Sequence, residues 1–147
     1  MVTGVQDLEI CADPLLVTVF SNLLDNSLRD GERGHEIRVF CYQTRAGLTL
    51  VWGDNGIGIS SEEKVQIFRQ GYGENSGLGL FLVQEILGIT GFIIREKGEP
   101  GKGARFEIRI PVGSYRRSSG RTAAGTWHLR IAGGDPGRIM NGEPDAL

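Results

Sequence analysis

The sequence predicts a single α/β domain, and three observations carry that expectation. Apolar residues recur at helical spacing after Asp13, they alternate with charged residues from Arg105 to Ile110, and 147 residues suffice for one hydrophobic core but not two.

Element by element, Asp13 followed by Pro14 has the form of a helix cap and first-turn proline. Leu16, Val19, Phe20, Leu23 and Ser27 then keep helical spacing to Asp30, and Gly31 ends the helix. Residues 36–42, EIRVFCY, and 47–52, GLTLVW, read as two strands joined by a short polar turn, with Asp54 just past the second. Ser60 and Glu63 form a capping box that opens a short helix, SEEKVQIFRQ, stopped by Gly71. The glycine-rich GYGENSG leads into a second long helix from about Leu78 to Leu87, apolar on most sides, expected to be buried and closed near Gly88 to Gly91. FIIREKGEPGKGARFEIRIPV reads as two strands around a Gly/Pro turn. Phe106, Ile108 and Ile110 alternate there with Arg105, Glu107 and Arg109, so one sheet face is buried and the other wet. Residues 114–147 are rich in Gly, Arg and small residues without a sustained period. They are expected to form a poorly ordered tail outside the domain at 1–113.

Sixteen Lys and Arg stand against eighteen Asp and Glu, a net charge of −2. No bulk positive charge is left to hold a nucleic-acid backbone or an anionic membrane, so neither partner is expected and any nucleotide must be held locally. Cys11 and Cys41 sit among apolar neighbours without CxxC spacing and read as buried thiols in a reducing compartment. No stretch approaches the ~20 apolar residues that span a bilayer, and no signal peptide opens the chain, so a cytoplasmic location is expected.

Three groups of residues carry chemistry. Asn22, Asn26 and Arg29 fall at i, i+4 and i+7 on one helical stripe. An amide oxygen suits Mg²⁺, which takes one or two protein oxygens when phosphates and waters supply the rest, and Arg29 could meet the phosphates. The plainer reading is a solvated face on which Asp25 pairs with Arg29. Asp54, at a strand end and followed by Gly56 and Gly58, can accept a hydrogen bond from the exocyclic amine of adenine while the glycines let a flat ligand approach; the alternative is an ordinary Asp-Asn-Gly turn. Gly77 and Gly79 open a helix, where unpaired N–H groups favour phosphate, though glycine there also serves helix packing. GLGLFL is not a GxGxxG turn after a first strand, and no Walker lysine is present, which excludes the Rossmann and P-loop readings.

Taken in order, these pieces resemble one family. NLLDNSLRDG is similar to the N-box, DNGIGI to the first glycine box, IFRQGYG to the F-box and SGLGLFL to the second glycine box of the ATP-binding domain shared by gyrase, Hsp90, sensor histidine kinases and MutL; the likeness covers residues 5–112. It implies a two-layer α+β sandwich, with a mixed, mostly antiparallel sheet, helices on one face, and ATP between helices and a lid. It also implies Asn26 as Mg²⁺ ligand, Arg29 facing phosphate and Asp54 reading adenine. Gly56, Gly58 and Ile59 then line the base pocket, Gly77, Leu78, Gly79 and Leu80 the phosphate side, and Phe68 with GYGEN a short lid.

The short lid and GKGARFEIRIPV look most like sensor histidine kinases. ATPases and anti-sigma serine kinases of the family usually carry a glutamate one turn before the Mg²⁺ asparagine, and here that position is Asn22. A neutral amide cannot take a proton, which favours phosphoryl transfer to an external nucleophile over water activation. The resemblance thus implies a protein histidine kinase of two-component signalling. Its partners would be a histidine-containing dimerisation and phosphoacceptor domain, separate or missing because the chain starts within the domain's first strand, and a response regulator receiver domain downstream. A non-catalytic ATP-binding interaction module and an anti-sigma-type serine kinase are the alternatives.

Overall fold

The computed structural model describes residues 2–3, 8–30, 36–72, 79–117, 127–132 and 139–142. Strands β1 (Val2–Thr3) and β2 (Leu8–Cys11) precede helix α1 (Leu16–Asp30). Asp13 caps that helix: its carboxylate accepts the Leu15 N–H at 2.9 Å and its carbonyl accepts the Leu16 N–H at 2.9 Å. Strands β3 (Ile37–Thr44) and β4 (Gly47–Asp54) form a hairpin, followed by the single-turn helix α2 (Ser61–Lys64). Helix α3 (Gly79–Ile89), strands β5 (Ile93–Glu96) and β6 (Arg105–Pro111), and the short strands β7 (Tyr115–Arg117), β8 (Trp127–Ala132) and β9 (Ile139–Gly142) complete the order.

The main sheet runs β1-β3-β4-β6-β5, antiparallel throughout except for the parallel edge pair β1–β3. Because strand side chains alternate, Val39, Leu50, Trp52, Phe106, Ile108 and Ile94 share one face and meet Leu16, Val19, Phe20 and Leu23 of α1 and Val83, Ile86 and Leu87 of α3 in a single core. Both long helices therefore cover the same face, and the architecture is the expected α+β sandwich with a mixed, mostly antiparallel sheet.

Several expectations need correction. The segment from Ser60 keeps its cap, with Ser60 Oγ accepting the Glu63 N–H at 3.2 Å, but only Ser61–Lys64 is α-helical. The chain then continues in turns that bury Ile67 against the core; one helical turn is too weak a nucleus to resist that pull. Helix α3 is not buried all round, since Leu82 and Ile89 are exposed. It ends as expected: Gly91 (φ +77°) lets its N–H reach the Gly88 carbonyl at 3.2 Å and the Phe92 N–H reach that of Leu87 at 2.9 Å. Asp54 is the last residue of β4 rather than one beyond it, Cys11 is exposed, and Cys41 is half-buried. Burial pushes the Cys41 thiol up from its ordinary 9.0 to about 12.

The described residues after Ser114 include three short strands. Strands β7, β8 and β9 join β2 in a second sheet of order β7-β2-β8-β9, with β2 antiparallel to β7 and parallel to β8. β7 and β8 pair with β2, and β9 with β8, pairings that periodicity in one segment does not reveal. Among the described residues no helix is long and apolar enough to cross a membrane.

Candidate nucleotide site

Two buried contacts set how α1 lies on the sheet. Trp52 of β4 stacks on Phe20, ring centroids 6.1 Å apart, and its indole N–H donates to Ser27 Oγ at 3.1 Å. Together they fix the rotation of the helix, so Asn26, next to Ser27, is buried at 7% exposure. Its amide makes no hydrogen bond to a described residue. One turn earlier, Asn22 Nδ2 donates to the Gly79 carbonyl at 3.3 Å, tying α1 to the first residue of α3. Arg29 lies on the same helix with its side chain outside the described residues, and Gly77 and Leu78 lie outside them entirely. At Gly79 no described residue outside its own helix and chain neighbours lies within 4 Å of where a Cβ would stand.

Asp54 closes the other end. One carboxylate oxygen, Oδ1, accepts the Gly56 N–H at 3.0 Å and the Ala104 N–H at 3.1 Å, while the Asp54 N–H donates to the Ala104 carbonyl at 2.9 Å. Oδ2 has no partner among the described residues and remains an acceptor. Side-chain alternation along β4 places Asp54 on the same side as Trp52, the helical side. Gly56 and Ile59 are buried beside it, and half-buried Phe68 and Leu80 pack on the core, Phe68 edge-on to Phe106 at 6.4 Å.

Gly58 meets a packing demand of its own. Its φ is +74°, and an added Cβ would come within 3.0 Å of the Glu99 and Gly103 carbonyl oxygens. The loop is pressed against the β5–β6 turn, and chain packing alone asks for a glycine there.

That turn is the part sequence reasoning missed. Glu96, with a side chain only 1% exposed, pairs with Lys64 Nζ at 2.8 Å and accepts the N–H groups of Gly98 at 2.9 Å and Arg105 at 3.0 Å. Lys64 also donates to the Gly98 carbonyl. The clamp holds the two strands that deliver Gly103 and Ala104 to Asp54, where a Cβ on Gly103 would stand 1.9 Å from the Asp54 carbonyl oxygen. The only signal in the sequence was a Glu, three glycines and a Pro between two strands.

Among the described residues no cluster of three or more His, Cys, Asp or Glu could hold a metal unaided. The arrangement can therefore present an acceptor to an amine at one end, one amide oxygen to a cation, and an open helix start to an anion.

The chain is similar to known proteins in the same region. Residues 12–114 match the family described as histidine kinase-, DNA gyrase B- and HSP90-like ATPase. Sensor protein SrrB of Staphylococcus aureus (strain NCTC 8325) is 34% identical over 102 residues, covering 63% of this chain and 18% of that protein, so the chain spans under a fifth of this relative. Among solved structures, the mycobacterial sensor histidine kinase MprB superposes with a TM-score of 0.58 at 28% identity, over 65% of this chain and 69% of that one. The ATP-binding domain of PrrB from Mycobacterium tuberculosis does so with 0.53 at 27%, over 66% and 65%. Full-length ShkA, crystallised with AMPPNP, shares the fold with a TM-score of 0.62 at 21% identity, over 80% of this chain and 27% of that one. The chain belongs to the histidine kinase-, DNA gyrase B- and HSP90-like ATPases, as an ATP-binding domain of the histidine kinase type.

Proposed function

We propose that this domain binds ATP with Mg²⁺ and transfers the γ-phosphoryl group to a histidine on a separate phosphoacceptor domain, for onward passage to a response regulator receiver domain. The observation that supports the reading best is Asp54: one oxygen is anchored by two backbone N–H groups, and the other has no partner among the described residues and could accept from the adenine amine. The names of the relatives, sensor kinases and an ATP-binding domain, support it.

The donor set fits the metal. The buried amide of Asn26, without a partner among the described residues, offers one hard oxygen, in keeping with an ion that takes its remaining ligands from phosphates and water. Bound Mg²⁺ would neutralise charge on the phosphates. Asn22, whose amide N–H donates to the Gly79 carbonyl, positions the start of α3, and Arg29, Gly79 and Leu80 would contact the phosphates. In the transfer an imidazole nitrogen forms a bond to phosphorus as the bond to the bridging oxygen breaks, ADP leaves, and the imidazole loses its proton. The domain supplies position and charge, and with Asn22 in place of a base it does little to activate water. An ATP-fed reaction of this kind belongs in the cytoplasm.

Titration with a fluorescent ATP analogue, with and without Mg²⁺, tests the binding step beside Asp54→Asn and Asn26→Ala. The expected result is saturable binding displaced by ATP, weakened by Asp54→Asn, with Asn26→Ala removing the Mg²⁺ dependence. Incubation with γ-labelled ATP and an isolated acceptor domain should then give acid-labile, base-stable phosphohistidine. Binding without transfer would instead favour an interaction module, and phosphoserine on a small partner an anti-sigma-type kinase.

A further inference from the structure

The buried carboxylate of Glu96 is not among the groups assigned above to nucleotide or metal, yet a continuous chain of hydrogen bonds joins it to Asp54. Lys64 Nζ pairs with Oε1 at 2.8 Å, and Oε2 accepts the Arg105 N–H at 3.0 Å. That N–H belongs to the same peptide unit as the Ala104 carbonyl, which accepts the Asp54 N–H at 2.9 Å. A peptide unit is planar, so holding both of its polar ends fixes its orientation. The Ala104 N–H in turn reaches Asp54 Oδ1 at 3.1 Å. Asp54 is thus held through its backbone and its side chain by one strand end, and the direction of Oδ2 follows from a chain of bonds that begins on α2.

A strand pair needs no such device to hold together. In a regular antiparallel ladder Lys97 and Arg105 would exchange two backbone bonds. Only one forms, from the Lys97 N–H to the Arg105 carbonyl at 2.8 Å, because Glu96 takes the Arg105 N–H. The carboxylate is tightly seated: a Cβ on Gly98 would stand 2.5 Å from the Gly103 carbonyl oxygen and 2.9 Å from Glu96 Oε2. An ion pair with one side chain only 1% exposed is also a costly source of stability, since apolar residues of similar volume often serve as well. What the pair adds is a fixed orientation, and the bonds carry that orientation to Asp54.

We propose that Lys64 and Glu96 are positioning residues for base selection: through the Ala104–Arg105 peptide they orient Asp54, so that discrimination between a base with an exocyclic amine and one with a carbonyl in its place depends on an ion pair made by α2. The inference rests on the reading of Asp54 as the carboxylate that accepts from adenine. Asn26, Arg29, Gly79 and Leu80, the proposed metal and phosphate contacts, lie on α1 and α3. Loss of the pair therefore reaches the base and leaves those contacts in place.

The test is a calorimetric titration of the full chain, with Mg²⁺, against ATP and against inosine triphosphate, which carries a carbonyl where adenine has its amine. The parent should prefer ATP by about tenfold or more. In Lys64→Met that preference should shrink to about threefold or less, while affinity for inosine triphosphate stays within about twofold of the parent. Lys64→Arg, which keeps the charge, should keep the preference. Circular dichroism checks that each variant is folded at the titration temperature, and Lys64→Gln, which keeps a donor without the charge, decides the matter should Lys64→Met not fold. A pair that serves stability alone would lower the melting temperature and weaken both nucleotides alike. That result, or an undiminished preference in the folded variants, would overturn the proposal. A parent that binds the two nucleotides equally, or neither, refutes Asp54 as the reader of the base and the positioning role with it.

Discussion

At the scale of single residues, Asp54 separates structure from recognition. Asparagine keeps an oxygen for the Gly56 and Ala104 N–H groups, so Asp54→Asn should melt within a few degrees of the parent. Its other atom becomes a donor facing an amine, so calorimetric affinity for ATP should fall by about 2 kcal/mol, roughly thirtyfold. The two thiols should part equally cleanly. Exposed Cys11 should react with a thiol reagent at pH 8, and Cys41, raised to about 12 by burial, only after unfolding. An unfolded Cys41 ionises near 9.0, before the folded one, so its contribution to stability is intact below pH 9 and is lost as pH rises toward 12; denaturant midpoints across that range measure it. Asn22, Asn26 and Asp54 stand out in the sequence as candidates because short polar groups are conspicuous on helical spacing or at a strand end. The bonds from Ala104 were not, since a backbone donor fifty positions away leaves no mark in side-chain chemistry.

At the scale of elements, the long helices and the central strands were readable because each buries one stripe or one face, and burial imposes a period. Helix α2 was over-extended for the opposite reason: propensity favoured a longer helix, but Ile67 and Phe68 had to turn into the core. The same element carries Lys64, and the buried Lys64–Glu96 pair joins it to the β5–β6 turn. Lys64→Met should leave a buried carboxylate short of its countercharge and cost about 3 kcal/mol in chemical denaturation. Glu96→Gln should also destabilise, because an amide accepts at only one of the two positions that now take N–H groups from Gly98 and Arg105. Ser27→Ala should cost about 1–2 kcal/mol by leaving the Trp52 indole N–H unpaired inside the helix–sheet layer.

At the scale of the whole molecule, the domain boundary read at residue 113 falls beside structure that crosses it: Cys11 N–H donates to the Ser114 carbonyl at 2.7 Å, and Tyr115 packs on the core. A chain ending at Arg117 should therefore keep the melting temperature of the main sheet, whereas one ending at Val112 should melt several degrees lower, as the loss of about 1 kcal/mol implies. Parallel pairing of β2 with β8 spans more than a hundred residues, and pairing at that distance is invisible to local pattern. The two sheets carry one tryptophan each, Trp52 in β4 and Trp127 in β8, and the chain has no other. The molecule thus holds its own pair of optical labels: emission from Trp127→Phe follows one sheet and emission from Trp52→Phe the other. Because the residues around Trp127 lack a sustained apolar period, its signal should change at lower denaturant, whereas coincident curves would make the two sheets one cooperative unit.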